Sequence, residues 1–166
     1  MAEKAELAAV FSPDRQYRYV LRRTIGLGDG RCLFIMLNPS TADETQNDPT
    51  IRRCMGFARD WGYGTLEVCN LFALRSTDPK ALYQADDPVG PLNDATIMYT
   101  AQRANRIVLA WGVHGGFQDR GDQVRVALDR NGFDAVCLGM TLSGEPKHPL
   151  FLPRSTPPMP VPSVIR

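Results

Sequence analysis

The chain has 166 residues, enough for one compact domain and too few for two full ones. With 43% apolar and 22% charged residues it can build a core, which excludes a disordered chain. Lys+Arg is 19 and Asp+Glu is 18, a net charge of +1, so no global basic field recruits nucleic acid and any such contact must be local.

Residues 1–166 are therefore read as a single α/β domain. The four cysteines, Cys32, Cys54, Cys69 and Cys137, form no CxxC pair and three lie in apolar runs, so neither a zinc nor an iron-sulfur site is expected, and no cofactor. Met1 to Val10 carries acidic residues and lacks the basic start and apolar block of a signal peptide. No apolar run approaches the ~20 residues that span a bilayer. A cytoplasmic location without a membrane partner is the expectation.

Tyr17 to Ile25 alternates aromatic or aliphatic residues with basic ones, and Gly26 to Gly30 separates it from the apolar run Cys32 to Leu37. This predicts a hairpin leading into a buried strand. Gly26, Gly28 and Gly30 do not make a phosphate loop, because no helix follows them. Asp48-Pro49 is an N-cap with proline at the first helical position, followed by Ile51, Met55 and Ala58 on one face and Gly62 as a stop. Leu66 to Phe72 is the next strand. Gly90 to Asp94 opens a helix through about Asn105, and Ile107 to Trp111 is a third strand. Gln118 to Arg130 is a further helix, ended by Asn131-Gly132, and Ala135 to Leu138 a fourth strand.

Helices alternating with short apolar strands predict a three-layer αβα domain. Its core is a mainly parallel four-stranded sheet, with the N-terminal hairpin at one edge. The segment from about 146 to 166, with seven prolines beginning at Pro146, is too proline-rich for a helix or a central strand and is expected to run extended over the surface.

In an open parallel sheet ligands bind beyond the carboxyl ends of the strands. The loops predicted there hold Asn38-Pro39-Ser40-Thr41-Ala42-Asp43, then Asn70 with Arg75, then His114 between glycines, then Lys147-His148. Each of these has an ordinary structural role open to it, as a turn former or a solvated loop residue. Together, hydrogen-bonding groups from four strand ends describe a pocket for a small molecule or a base. Asp48 is explained as a helix cap, and no metal site is expected.

The segments Leu37 to Asp43 (LNPSTAD), Asp48 to Cys54, Trp61 to Gly64, Asn70 to Ala73, Asp87 to Pro91 and Ala110 to Gly112 resemble a bacterial and phage family of unknown function over about residues 17 to 153. A more distant resemblance is to the uracil-DNA glycosylase superfamily. Asn38-Pro39 looks like its Asn-Pro water-binding loop, Asn70 falls where its base-reading asparagine sits, and His148-Pro149-Leu150 resembles its His-Pro-Ser segment. The sequence departs from that pattern at Ser40, where a glycine is usual, and at Leu150, where the motif has serine.

The resemblance implies a uracil-DNA-glycosylase-like fold and an N-glycosidic bond hydrolase acting on a damaged or modified nucleobase in DNA. Asn38 would hold the water, helped by Asp43, and His148 would donate to the leaving base. Asn70 would read the base edge, with Ser40, Thr41 and His114 around it and Phe57, Trp61 or Phe72 as an aromatic wall. Arg52, Arg53 and Arg75 are the cations expected against phosphate, and Leu150 beside Phe151 the apolar wedge. The alternative is a non-catalytic protein that binds a nucleotide or nucleoside, so the expected partner is DNA or a nucleobase-containing small molecule.

Overall fold

The computed structural model describes residues 8–163. Its strands are β1 (Ala9–Phe11), β2 (Arg18–Thr24), β3 (Arg31–Met36), β4 (Thr65–Asn70), β5 (Arg106–Leu109), β6 (Val136–Cys137) and β7 (Met159–Pro160). The helices are α1 (Pro49–Asp60), α2 (Lys80–Gln84), α3 (Asn93–Arg103) and α4 (Arg120–Arg130), and a 3₁₀ segment covers Val113–Asp119.

The architecture is mixed α/β, one seven-stranded sheet in the order β1-β2-β4-β3-β5-β6-β7. The expected strands β4, β3, β5 and β6 are adjacent and parallel, with Met36 opposite Asn70 and Ile35 opposite Leu109. The sheet as a whole is not mainly parallel, however. Three of its six pairings are antiparallel, because β1 and β2 extend one edge and β7 the other.

Successive side chains of β3 enter two cores, as a strand buried on both faces requires. Cys32, Phe34 and Met36 pack with Ile51, Cys54, Phe57 and Ala58 of α1. Leu33 and Ile35 pack with Ile97 and Ala101 of α3 and Val124 and Leu128 of α4. The Asp48 carboxylate caps α1 by accepting from the Ile51 N–H at 2.9 Å, with Pro49 at the first turn. All four cysteines are buried free thiols, and burial pushes Cys32 and Cys69 up to about 12.

The N-terminal hairpin joins β1 to β2 and not β2 to β3. β2 crosses beyond β3 to lie antiparallel to β4, with Leu21 opposite Val68. The glycine turn is set by contact instead. A Cβ on Gly64 would stand 1.7 Å from the Gly28 carbonyl oxygen, so the two backbones touch where side chains cannot fit. Thr24 and Ile25 are thereby tied to the start of β4, with the Ile25 N–H donating to the Gly64 carbonyl.

Helix α3 starts at Asn93, two residues after its proline signal Pro91, because Gly90 has φ +92° and its N–H is held by Asp87. Helix α4 starts at Arg120 because Gln118 and Asp119 both have positive φ. The short helix α2 was not anticipated, and the Gly112 to Gly116 loop is partly 3₁₀. The proline-rich tail supplies β7, an edge position that tolerates Pro160. No helix among the described residues is long and apolar enough to cross a membrane.

A candidate functional site at the carboxyl ends of the central strands

The loops after β3, β4, β5 and β6 converge on a cavity of about 370 Å3. Of the residues predicted from sequence, Asn38, Ser40, Asn70, His114, His148 and Leu150 line it. Thr41, Asp43, Arg52, Arg53 and Arg75 do not.

Asn38 is held by its own loop. Its Nδ2 donates to the carbonyls of Pro39, Leu74 and Ser76, at 3.2, 3.4 and 2.9 Å. This fixes the amide so that Oδ1, which has no partner among the described residues, is the acceptor left over.

Asn70 ends β4, and its backbone is clamped by the fully buried Asn93, whose Nδ2 donates to the carbonyls of Asn70 and Leu71 at 2.8 and 3.0 Å. The Asn70 side chain is itself 1% exposed, and its Nδ2 is buried with no hydrogen-bond partner. A buried amide of this kind costs stability unless something pairs with it.

His148 follows β6 in the tail. Its Nδ1 accepts from the Leu150 N–H at 3.2 Å, so in the neutral ring the proton sits on Nε2, which has no partner among the described residues. Burial lowers its pKa, against the opposing pull of Asp48, and this favours the neutral donor. Gly112, at φ +77°, lets the loop after β5 pass within contact of the His148 Cβ, and its N–H donates to the Pro146 carbonyl. At the rim, His114 Nδ1 lies 3.0 Å from the Tyr83 hydroxyl.

The remaining predicted residues serve the fold. Asp43 closes a turn by accepting from the N–H groups of Thr45 and Gln46, which lower its pKa. Arg52 donates to the Asn47 carbonyl and Arg53 to the Leu152 carbonyl. Arg75 donates to the Arg15 carbonyl and lies over the Phe11 ring. Thr41 is exposed on the loop. Phe57, Trp61 and Phe72 do not line the cavity; the aromatic that does is Trp111, whose Nε1 donates to Glu145 at 2.6 Å. Phe151 is 92% exposed, whereas Leu150 is half-buried in the cavity wall.

Sequence reasoning missed Arg18 and saw only one role of Asp48. Both line the cavity. Arg18 is 2% exposed, its Nη1 donates to the Ala42 carbonyl at 3.1 Å, and its Nε has no partner. Desolvation pushes it down to about 10, eased by Asp48, so it remains charged at neutral pH. The one available signal was an arginine standing between Tyr17 and Tyr19 at the start of a strand.

A second cavity, of about 360 Å3, lies between α4, β6 and the tail. No histidine or amide side chain lines it, and its Arg125 is engaged by Asp122 and the Pro162 carbonyl. Among the described residues no three His, Cys, Asp or Glu side chains come together as metal ligands.

Neither a curated protein nor a solved structure matches the chain. The family DUF1643, a protein of unknown function, matches residues 18–150, from the start of β2 to the cavity wall at Leu150, and the chain belongs to that family.

Proposed function

We propose that the cavity receives a nucleobase and hydrolyses the N-glycosidic bond that carries it, with a damaged or modified base in DNA as substrate. The observation that carries this reading is the unpaired, buried amide of Asn70 in one cavity with His148, whose Nε2–H is free. An amide presents a donor and an acceptor side by side, which suits a base edge. The neutral Nε2–H donates to a base oxygen as charge develops there, the most effective place for a fixed donor.

Asn38 Oδ1 accepts from a water and orients it toward the sugar carbon. The carbon–nitrogen bond breaks with its electron pair on the base, the water adds hydroxyl to the sugar carbon, and its proton goes to the base. Asp43 takes no part, since it lies outside the cavity. A three-layer αβα arrangement like that of the uracil-DNA glycosylase superfamily belongs to the same proposal. So does a cytoplasmic place of action. The exposed Phe151, next to a wall residue of the cavity, supplies the apolar wedge for a flipped base.

The test is incubation with oligonucleotides carrying uracil, hypoxanthine, alkylated and hypermodified bases, scored for abasic sites. Base release that falls at least a hundredfold in His148→Ala and in Asn70→Ala is the expected result. A second reading, a pocket for a free nucleoside or nucleotide, is favoured by one observation: Arg52, Arg53 and Arg75 do not line the cavity, and each donates to a backbone carbonyl. Absence of abasic sites on every substrate, with binding of free nucleosides or nucleotides, selects that reading.

A further inference from the structure

We infer that Arg18 is the floor of an oxyanion subsite, so that the ligand of this cavity carries a full negative charge on oxygen when bound. The inference deepens the base-pocket reading and rests on that pocket being the place where ligand binds. Three features of the arginine support it.

Arg18 is nine-tenths and more buried, yet it makes no ion pair among the described residues. Its single protein partner is a backbone carbonyl, that of Ala42. Nε and Nη2 form the side-on edge of the guanidinium, and neither has a partner among the described residues. This is the edge that grips two oxygens of one group at once.

Among the charged groups Asp48 bears on Arg18 most strongly, and Arg75 and Arg23 oppose it as like charges. Asp48 accepts the Ile51 N–H on Oδ1 and keeps its charge, but it forms no ion pair with Arg18 and does not offset the desolvation. Thr50, in the first turn of α1, also lines the cavity. A buried cation that forms no ion pair weakens the fold, and the arrangement persists where a ligand supplies the missing partner.

Two sources share this chemistry: the phosphate of a nucleotide, and the exocyclic oxygen of a base that leaves or binds as its anion. Wild type, Arg18→Met and Arg18→Lys, each as the full chain, are titrated calorimetrically with inorganic phosphate and with uracil at pH values on both sides of uracil's own ionisation. Apo melting temperatures are measured in parallel. The subsite predicts that the wild type binds at least one probe and that Arg18→Met weakens it tenfold or more. Arg18→Lys, which keeps the charge and loses the fork, falls between them. Apo Arg18→Met melts at or above the wild-type temperature, because a methionine stem needs no counter-ion.

Phosphate binding marks the nucleotide source; uracil binding that strengthens as uracil ionises marks the base anion. If neither probe distinguishes wild type from Arg18→Met, or if Arg18→Met melts well below wild type with binding unchanged, Arg18 is only the anchor of the Ala42 loop and the inference is overturned. Base release separates this from the hydrolase reading. Wild-type release rates in Arg18→Met sink the subsite alone, whereas probe binding lost in Arg18→Met without release from any oligonucleotide sinks the hydrolase alone.

Discussion

The two ends of the central strands treat buried polar groups in opposite ways. Toward the amino end, Glu67 of β4 is fully buried but meets Arg22 at 2.8 Å and Arg31 at 3.1 Å, and Gly28 and Gly64 pack backbone against backbone. At the carboxyl end Arg18 and Asn70 are as deeply buried, and each leaves a nitrogen unpaired. The same pair of antiparallel strands, β2 and β4, carries both arrangements. A charge whose partners are built in holds the fold; a buried polar group left without a partner costs stability until something pairs with it.

Substitutions at the two ends should therefore separate stability from binding. The largest stability loss is expected for Gly64→Ala, about 3 kcal/mol or more, because the new methyl meets a backbone oxygen that cannot swing away. Urea unfolding measures it, and a loss under 1 kcal/mol would mean that the glycine contact is loose. Glu67→Ala should cost about 3 kcal/mol, moderated because Arg22 and Arg31 are partly exposed and can rehydrate. Ligand binding should survive it.

Asn70→Ala should cost less than about 1 kcal/mol, since the buried Nδ2 it removes has no bond to lose, while base release or base binding disappears. A loss comparable to that of Glu67→Ala would erase the contrast between the ends.

The pH response sharpens the comparison from the carboxyl side. His148 has a pKa below its usual value in the folded state, so the unfolded chain takes up the proton first as pH falls. Its stabilising contribution is present above about pH 6.5, the ordinary histidine value, and is lost as pH drops through that value toward the folded one. Protonation of Nδ1 also removes the acceptor for the Leu150 N–H. An NMR titration of the imidazole should show a midpoint below 6.5, and a midpoint above it would contradict the buried, neutral donor.

The smallest effect is expected for Asp48→Asn. Asparagine caps a helix as well as aspartate, so α1 keeps its first turn. Arg18 loses the carboxylate that bears on it most, which should lower stability by only about 0.5 kcal/mol and raise phosphate affinity severalfold. A fall in phosphate affinity would show that Asp48 takes part in holding the ligand.

Much of this was legible in the sequence because it is local. The run from Cys32 to Leu37 can only be buried on both faces, and Asp48-Pro49 can hardly be other than a helix start. Placing ligands beyond parallel strand ends brought Asn38, Asn70, His114 and His148 to one cavity, with Ser40 and Leu150 in its wall. Alternation and turn glycines describe a strand and a bend but not a partner. Thus β2 read as the neighbour of β3, whereas its hydrogen bonds go to β4. Which side chains reach the cavity was equally hidden: Asp43, Arg53 and Arg75 read as ligand groups, but they lie outside its lining and bond to backbone. Arg18 did not stand out among the basic residues of its strand, because burial depends on what lies above a residue, and β4, the Ala42 loop and α1 arrive there from distant parts of the chain. The sequence determined which groups stand at the strand ends. Only the tertiary structure decided which of them are left without a partner, because desolvation and pairing belong to the neighbours that folding brings in.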